Sequence, residues 1–175
     1  PLALGHFQHE FVVHLHDEAA LMLVALYPFL MMDVPPSNGL PDPYGEDEQS
    51  AFPWRGRISC FPAPNAPGSP DKSSAIRTDV SSFCGSANSA SFALDESGVT
   101  YLGDPEDWGY RRLVLHYAWL ASQAGGVDTF LIGSELRGLT SLRDGSSHFP
   151  FVEALCQLAS EVRSILGSET KITYG

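Results

Sequence analysis

Apolar residues fill nearly every position of 21–32 (LMLVALYPFLMM), ahead of Asp33 and the Pro35-Pro36 pair. Such a run predicts a strand covered on both faces, and its natural host is a parallel sheet. Residues 34–70 break the pattern, holding nine of the thirteen prolines together with Asn38-Gly39 and Pro41-Asp42. This predicts a long irregular loop. Loops of that length inside a domain tend to be functional, and Phe52, Trp54, Ile58, Phe61, Arg55 and Arg57 give this one material to pack down. An ordered loop over a site, at the C-terminal face of the sheet, is expected.

Helical spacing returns at Ile76, Val80 and Phe83, before Gly85, and predicts a short helix over 71–84. Residues 92–101 read as a small hairpin about Ser97-Gly98. Asp104 as N-cap, Pro105 at the first position and Glu106-Asp107 in the first turn predict a helix. Its expected apolar stripe is Leu113, Tyr117, Leu120 and Ala124, with Trp108, Tyr117 and Trp119 as packing residues and Gly125-Gly126 as the stop. Residues 127–133 (VDTFLIG) predict a short buried strand, followed by the polar turn Ser134-Glu135. Phe151, Leu155, Leu158, Val162 and Ile165 mark a second amphipathic helix ending at Gly167, and residues 171–174 open another strand.

Strand, loop, helix, strand, helix, strand is an alternating series that implies parallel strands. Both a β/α barrel and an open doubly wound sheet satisfy it. No GxGxxG follows either strand, so a dinucleotide-binding sheet has no support. The reading is therefore α/β, a single partial (β/α)8 TIM-barrel-like domain over 1–175 with residues 1–20 unassigned. A full barrel takes about 250 residues, so 175 residues are expected to hold about half of one. The opening Pro1-Leu2-Ala3 and a final strand just beginning fit a segment truncated at both ends.

Composition narrows the partners. Twenty-one acidic against ten basic residues give a formal charge of −11, which repels phosphate backbones and anionic membranes. Neither nucleic-acid nor membrane binding is expected, and Pro28 interrupts an apolar run already short of the roughly 20 residues of a bilayer span. Cys60, Cys84 and Cys156 lack CxxC spacing and read as reduced, mostly buried thiols.

Four stretches resemble a known family: YPFLMMDVPPSNGLPDPYG (27–45), PWRGRISC (53–60), GSPDK (68–72) and GGVDTFLIGSELRGLT (125–140). They are similar to the TIM-barrel-like domain of gene transfer agent and phage-tail host-specificity proteins, distantly related to glycoside hydrolases. The resemblance runs from about residue 27 to 174. It implies a baseplate or tail-tip component of a phage-like particle, assembled in the bacterial cytoplasm. Its implied partners are cell-surface polysaccharide or peptidoglycan and other tail proteins. No cofactor is expected, nor a metal, because the histidines lack a complete ligand set.

Glu135 is the leading candidate for chemistry because it directly follows a buried strand, and barrel active sites gather at the C-terminal ends of strands. A general-acid role would call for partial burial beside aromatic rings. The alternative is a solvated carboxylate or one paired with Arg137. Asp33, after the earlier strand, reads either as a second catalytic carboxylate on the same face or as an Asx turn before Pro35. Tyr44, Trp54, Arg55, Arg57 and Arg137 are candidate substrate-binding residues; aromatic faces stack on sugars, and guanidinium groups bond to hydroxyls or carboxylates. The loop's own small core and ion pairs with Glu46, Asp47 or Glu48 are the alternative for Tyr44, Trp54, Arg55 and Arg57. A competing reading is a metal-dependent amidohydrolase, resting on His14-x-His16 within FVVHLHDE, with His6 and His9 near in sequence and His116 and His148 far from any apolar strand. A third is a non-catalytic structural or receptor-binding module.

Overall fold

The computed structural model describes residues 23–96 and 98–175. The histidines at 6, 9, 14 and 16, the assigned start of the first strand at 21–22 and the hairpin's Ser97 lie outside them. Three strands, β1 (Ala25–Leu26), β4 (Thr129–Leu131) and β5 (Lys171–Thr173), form one parallel sheet in the order β1-β4-β5. Ala25 pairs with Thr129 and Leu26 with Phe130; Thr129 pairs in turn with Lys171. Two further strands, β2 (Phe92–Asp95) and β3 (Gly98–Tyr101), make the antiparallel hairpin that the turn signal predicts. The helices are α1 (Ala75–Cys84), α2 (Tyr110–Gln123), the four-residue α3 (Arg137–Thr140) and α4 (Pro150–Leu166). This mixed α/β arrangement around a parallel sheet is that of part of a TIM-barrel-like domain.

Phe151, Leu155, Leu158 and Val162 recur at three- and four-residue intervals along α4 and are buried, with Pro150 at the helix start. Gly167, at φ +78, ends the helix in the left-handed region, and its N–H bonds to Arg163 O. Phe130 of β4, Phe151 of α4, Leu115 of α2 and Ile76 of α1 meet in one core at zero exposure. Tyr110 stacks on Phe83 at 5.5 Å between ring centroids, tying α2 to α1.

Several expectations are corrected. The first strand is two residues long rather than spanning 21–32, because Pro28 has no N–H for the ladder, and Leu23, Val24, Phe29 and Met31 are exposed. The helix expected from Asp104 begins at Tyr110: Asp104 accepts from Glu106 N–H in an Asx turn, and Gly109 is the cap residue. Its buried face is Tyr110, Val114, Leu115, Ala118 and Ala121, with Leu113 and Tyr117 partly buried at its flank and Ala124 exposed. Trp108 is 59% exposed, its ring on the Arg112 guanidinium, which also lies over the Tyr101 ring. Cys156 is exposed; Cys60 and Cys84 are buried, and burial pushes the Cys84 thiol up to about 11.

The loop 34–70 is ordered by its own polar groups. Asn38 donates to Pro35 O and Gln49 O and accepts from Leu40 N–H. Phe52 N–H bonds to Val34 O, and Ala63 N–H to Pro43 O. Its 3₁₀ turn at Arg55–Arg57 seats against α3, where a side chain at Gly138 would fall 2.2 Å from Ile58 O.

Gly109 carries the junction of α1 and α2. Its φ is an ordinary −63, but an added Cβ would lie 2.4 Å from both Cys84 O and Gly85 Cα. Gly109→Ala must push two backbones apart and should lower stability by about 1–3 kcal/mol in urea unfolding. Gly145→Ala, with nothing within 4 Å of the new methyl, should stay within about 0.5 kcal/mol of wild type.

Candidate functional site

The chain leaving β4 makes a tight corner at 133–136 that abuts the end of β5. Ile132 N–H bonds to Thr173 O, Gly175 N–H to Gly133 O and Glu135 N–H to Gly175 O. Gly133 is required: a Cβ there would sit 2.2 Å from the Tyr110 hydroxyl oxygen, which itself donates to Ile132 O at 2.6 Å. Leu136 N–H donates to the Tyr174 hydroxyl at 2.8 Å, and Tyr27, just past β1, hydrogen-bonds to Ser134 Oγ. Burial raises both the Tyr110 and Tyr174 phenols above their ordinary range, with Tyr27 adding to each, although the Leu136 N–H pulls Tyr174 the other way. Both are therefore neutral donors and acceptors at physiological pH.

Glu135 sits on this corner at φ +55, a left-handed conformation that costs a non-glycine residue free energy. Its Oε2 accepts from Arg55 Nη2 at 2.5 Å and from Trp54 Nε1 at 3.2 Å. Arg55 also donates through Nε to Ser134 O at 3.2 Å and through Nη2 to Ser134 Oγ at 3.0 Å. Its guanidinium lies 4.1 Å from the Phe29 ring centroid and 5.9 Å from that of Tyr27. The Arg55 side chain is 11% exposed and that of Glu135 51%. Glu135 is thus half-exposed, with the Trp54 indole bonded to its carboxylate. Trp54 rests one side of its indole on Gly56, where a Cβ would fall 2.4 Å from the ring, and remains 49% exposed.

The structure thus brings Glu135, Trp54 and Arg55 together at the C-terminal end of the parallel strands. It sets Arg57 and Tyr44 in a second cluster, in which Arg57 forms bonds of 2.9 and 3.1 Å to the two oxygens of Asp42 and lies over the Tyr44 ring. Arg137 is exposed on α3 and does not pair with Glu135, whose ion pair is with Arg55. Asp33 is exposed, seven residues beyond β1, with no hydrogen bond to Glu135. Tyr27, Ser134 and Tyr174 were not singled out in the sequence, although each stands at a strand's C-terminal end. His148 faces Asp144 at 3.7 Å, and among the described residues no group of three or more His, Cys, Asp or Glu side chains is placed to hold a metal. No helix among the described residues is long and apolar enough to cross a membrane.

A parallel sheet whose polar cluster gathers at the C-terminal strand ends is the arrangement of a partial TIM-barrel-like α/β domain. More narrowly, residues 108–175, from the approach to α2 through β5, match the family model of the GTA TIM-barrel-like domain, the gene transfer agent domain that the motifs resemble. Of those motifs, the stretch at 125–140 falls inside the match and the three between 27 and 72 fall outside it. No curated protein matches the chain.

Two experiments follow from this geometry. Tyr174→Phe strips the acceptor from the N–H of Leu136, a residue 1% exposed, and should cost about 1–3 kcal/mol in urea unfolding. Asp42 titrates below the ordinary aspartate value of about 3.8: burial raises it, but bonds from Arg57 and the N–H groups of Glu46 and Tyr44 outweigh that. A carboxyl depressed by folding stabilises the fold above its unfolded value and loses that contribution as pH falls through its folded one. The stability gap between wild type and Asp42→Asn should therefore narrow from about pH 5 to about pH 2; a gap constant over that range would show that the charge is not what Asp42 contributes.

Proposed function

We propose that this C-terminal edge contacts cell-envelope glycan, and that the domain serves in the host-specificity part of a phage-like tail. The observation that carries the reading is Trp54, an indole held on one side by Gly56 and through its N–H by Glu135, yet half exposed, with the Arg55 guanidinium on the same carboxylate oxygen. A fixed, outward aromatic face next to charged hydrogen-bonding groups is what stacking on a sugar ring requires. The family match supports the phage-like setting.

Binding is preferred to cleavage as the core of the proposal. Hydrolysis requires two carboxyl groups roughly 5 to 9.5 Å apart, and the side-chain partners of Glu135 among the described residues are a guanidinium and an indole. In the hydrolytic version Glu135 is the general acid and Asp33 the candidate partner.

Titrating the chain with soluble peptidoglycan and capsule oligosaccharides tests both. Trp54→Ala should weaken glycan binding by about tenfold or more while the thermal transition holds. Unchanged affinity in Trp54→Ala would remove this edge from glycan contact. In the same preparations, a fall in turnover of about 10²- to 10⁴-fold in Glu135→Gln would establish cleavage, and wild-type binding without turnover would leave a recognition module.

A further inference from the structure

Glu135 behaves at this edge as a ligand would. Two donors from the loop 34–70, Arg55 Nη2 and Trp54 Nε1, converge on the single oxygen Oε2 at 2.5 and 3.2 Å. The carboxylate that fills this seat belongs to a half-exposed side chain on a left-handed residue. Ser134 Oγ lies on the same guanidinium. The contact is end-on: Arg55 spends Nε and Nη2 on Ser134 and Glu135, while its Nη1 makes no hydrogen bond among the described residues. Guanidinium groups bind carboxylates best through two parallel bonds, so half of this fork is unused. Arg137, exposed two residues beyond Glu135, forms no ion pair among the described residues.

Resting on the glycan-contact reading of this edge, we propose that the seat on Arg55 and Trp54 is a subsite for the carboxylate of an acidic sugar, occupied in the free protein by the chain's own Glu135. A uronate arriving over Trp54 displaces Glu135 into solvent, takes the indole N–H and Nη2, and adds Nη1. Swinging out exposes a carboxylate already half in water, so displacement asks little of the protein. The formal charge of −11 opposes polyanions at long range, but screening confines that repulsion to about 8 Å at physiological salt. Recognition is then decided by the groups at the seat. Glu135 sets a threshold: a neutral sugar cannot displace it, and a carboxylate can.

The test inverts the usual expectation for a site glutamate, since its removal should improve binding. The 175-residue chain is titrated calorimetrically with tetragalacturonate as the carboxylate probe and chitotetraose as the uncharged one. Glu135→Gly vacates the seat and suits the left-handed backbone; Glu135→Gln keeps the side chain and removes its charge. Tetragalacturonate should bind Glu135→Gly about tenfold tighter than wild type, the equivalent of one charge-assisted bond, with Glu135→Gln in between. The gain should be confined to the acidic sugar, with chitotetraose binding Glu135→Gly no tighter than wild type, and adding Arg55→Met to Glu135→Gly should abolish it. If both Glu135 variants bind tetragalacturonate no tighter than wild type while chitotetraose still binds, the subsite is wrong and the glycan-contact reading stands. If neither sugar binds wild type or any variant with an intact thermal transition, the glycan-contact reading falls and the subsite with it.

Discussion

The Arg55 guanidinium holds the C-terminal edge of the sheet together. It is nearly buried, and a cation in that setting costs free energy unless a carboxylate pairs with it. It makes them to Ser134 and Glu135 beyond β4, while lying against Phe29, which follows β1. One side chain from the long loop thereby ties that loop to the segments that follow the paired strands β1 and β4. Closing a long loop costs entropy that rises slowly with its length. Here the cost is offset by local bonds, of which Asp42 with Arg57 and Asn38 with Gln49 are the main ones, so that Arg55 and Trp54 reach the strand ends already oriented.

The same edge explains how a strained residue survives. A left-handed non-glycine corner persists only where surrounding contacts over-determine it. At 133–136 those contacts are the bonds to Gly175, the Tyr174 hydroxyl on Leu136, the Tyr27 hydroxyl on Ser134 and Arg55 on both Ser134 and Glu135. Tyr110 supports the corner from beneath through Ile132 O. Three tyrosines, Tyr27 after β1, Tyr110 of α2 and Tyr174 after β5, thus converge on one turn, and none of them adds formal charge to it.

Much of the fold was legible because local chemistry decides it. The α4 stripe, the hairpin about Gly98 and the strands around Phe130 and Ile172 follow from period and punctuation alone. The misplaced α2 start shows the limit: Asp104-Pro105 is a valid helix opening by local rules, but Arg112 donates to Pro105 O and Asp107 O and its guanidinium stacks on Trp108, holding that stretch as a loop. Pro28 was visible, yet its ladder-breaking effect yielded to the apolar run around it. The place of Glu135 just beyond β4 was legible because strand-end position is a sequence property. Its partnership with Arg55 lies 80 residues away and leaves no periodic trace. Arg55 and Arg57 look alike in sequence, and only the fold assigns one to Glu135 and the other to Asp42.

That division of two neighbouring arginines bears on function. Asp42, with its side chain 2% exposed, is held by two oxygens on Arg57 and by two backbone N–H groups, the geometry of a permanent structural pair. Glu135, 51% exposed and held on Arg55 by one oxygen, has the geometry of an exchangeable one. Displacing Asp42 would leave a buried carboxylate without its bonds, whereas displacing Glu135 returns a carboxylate to water it already touches. Within a single 3₁₀ turn the chain therefore carries one guanidinium paired with a buried carboxylate and one paired with a half-exposed carboxylate. Trp54 stands beside the second.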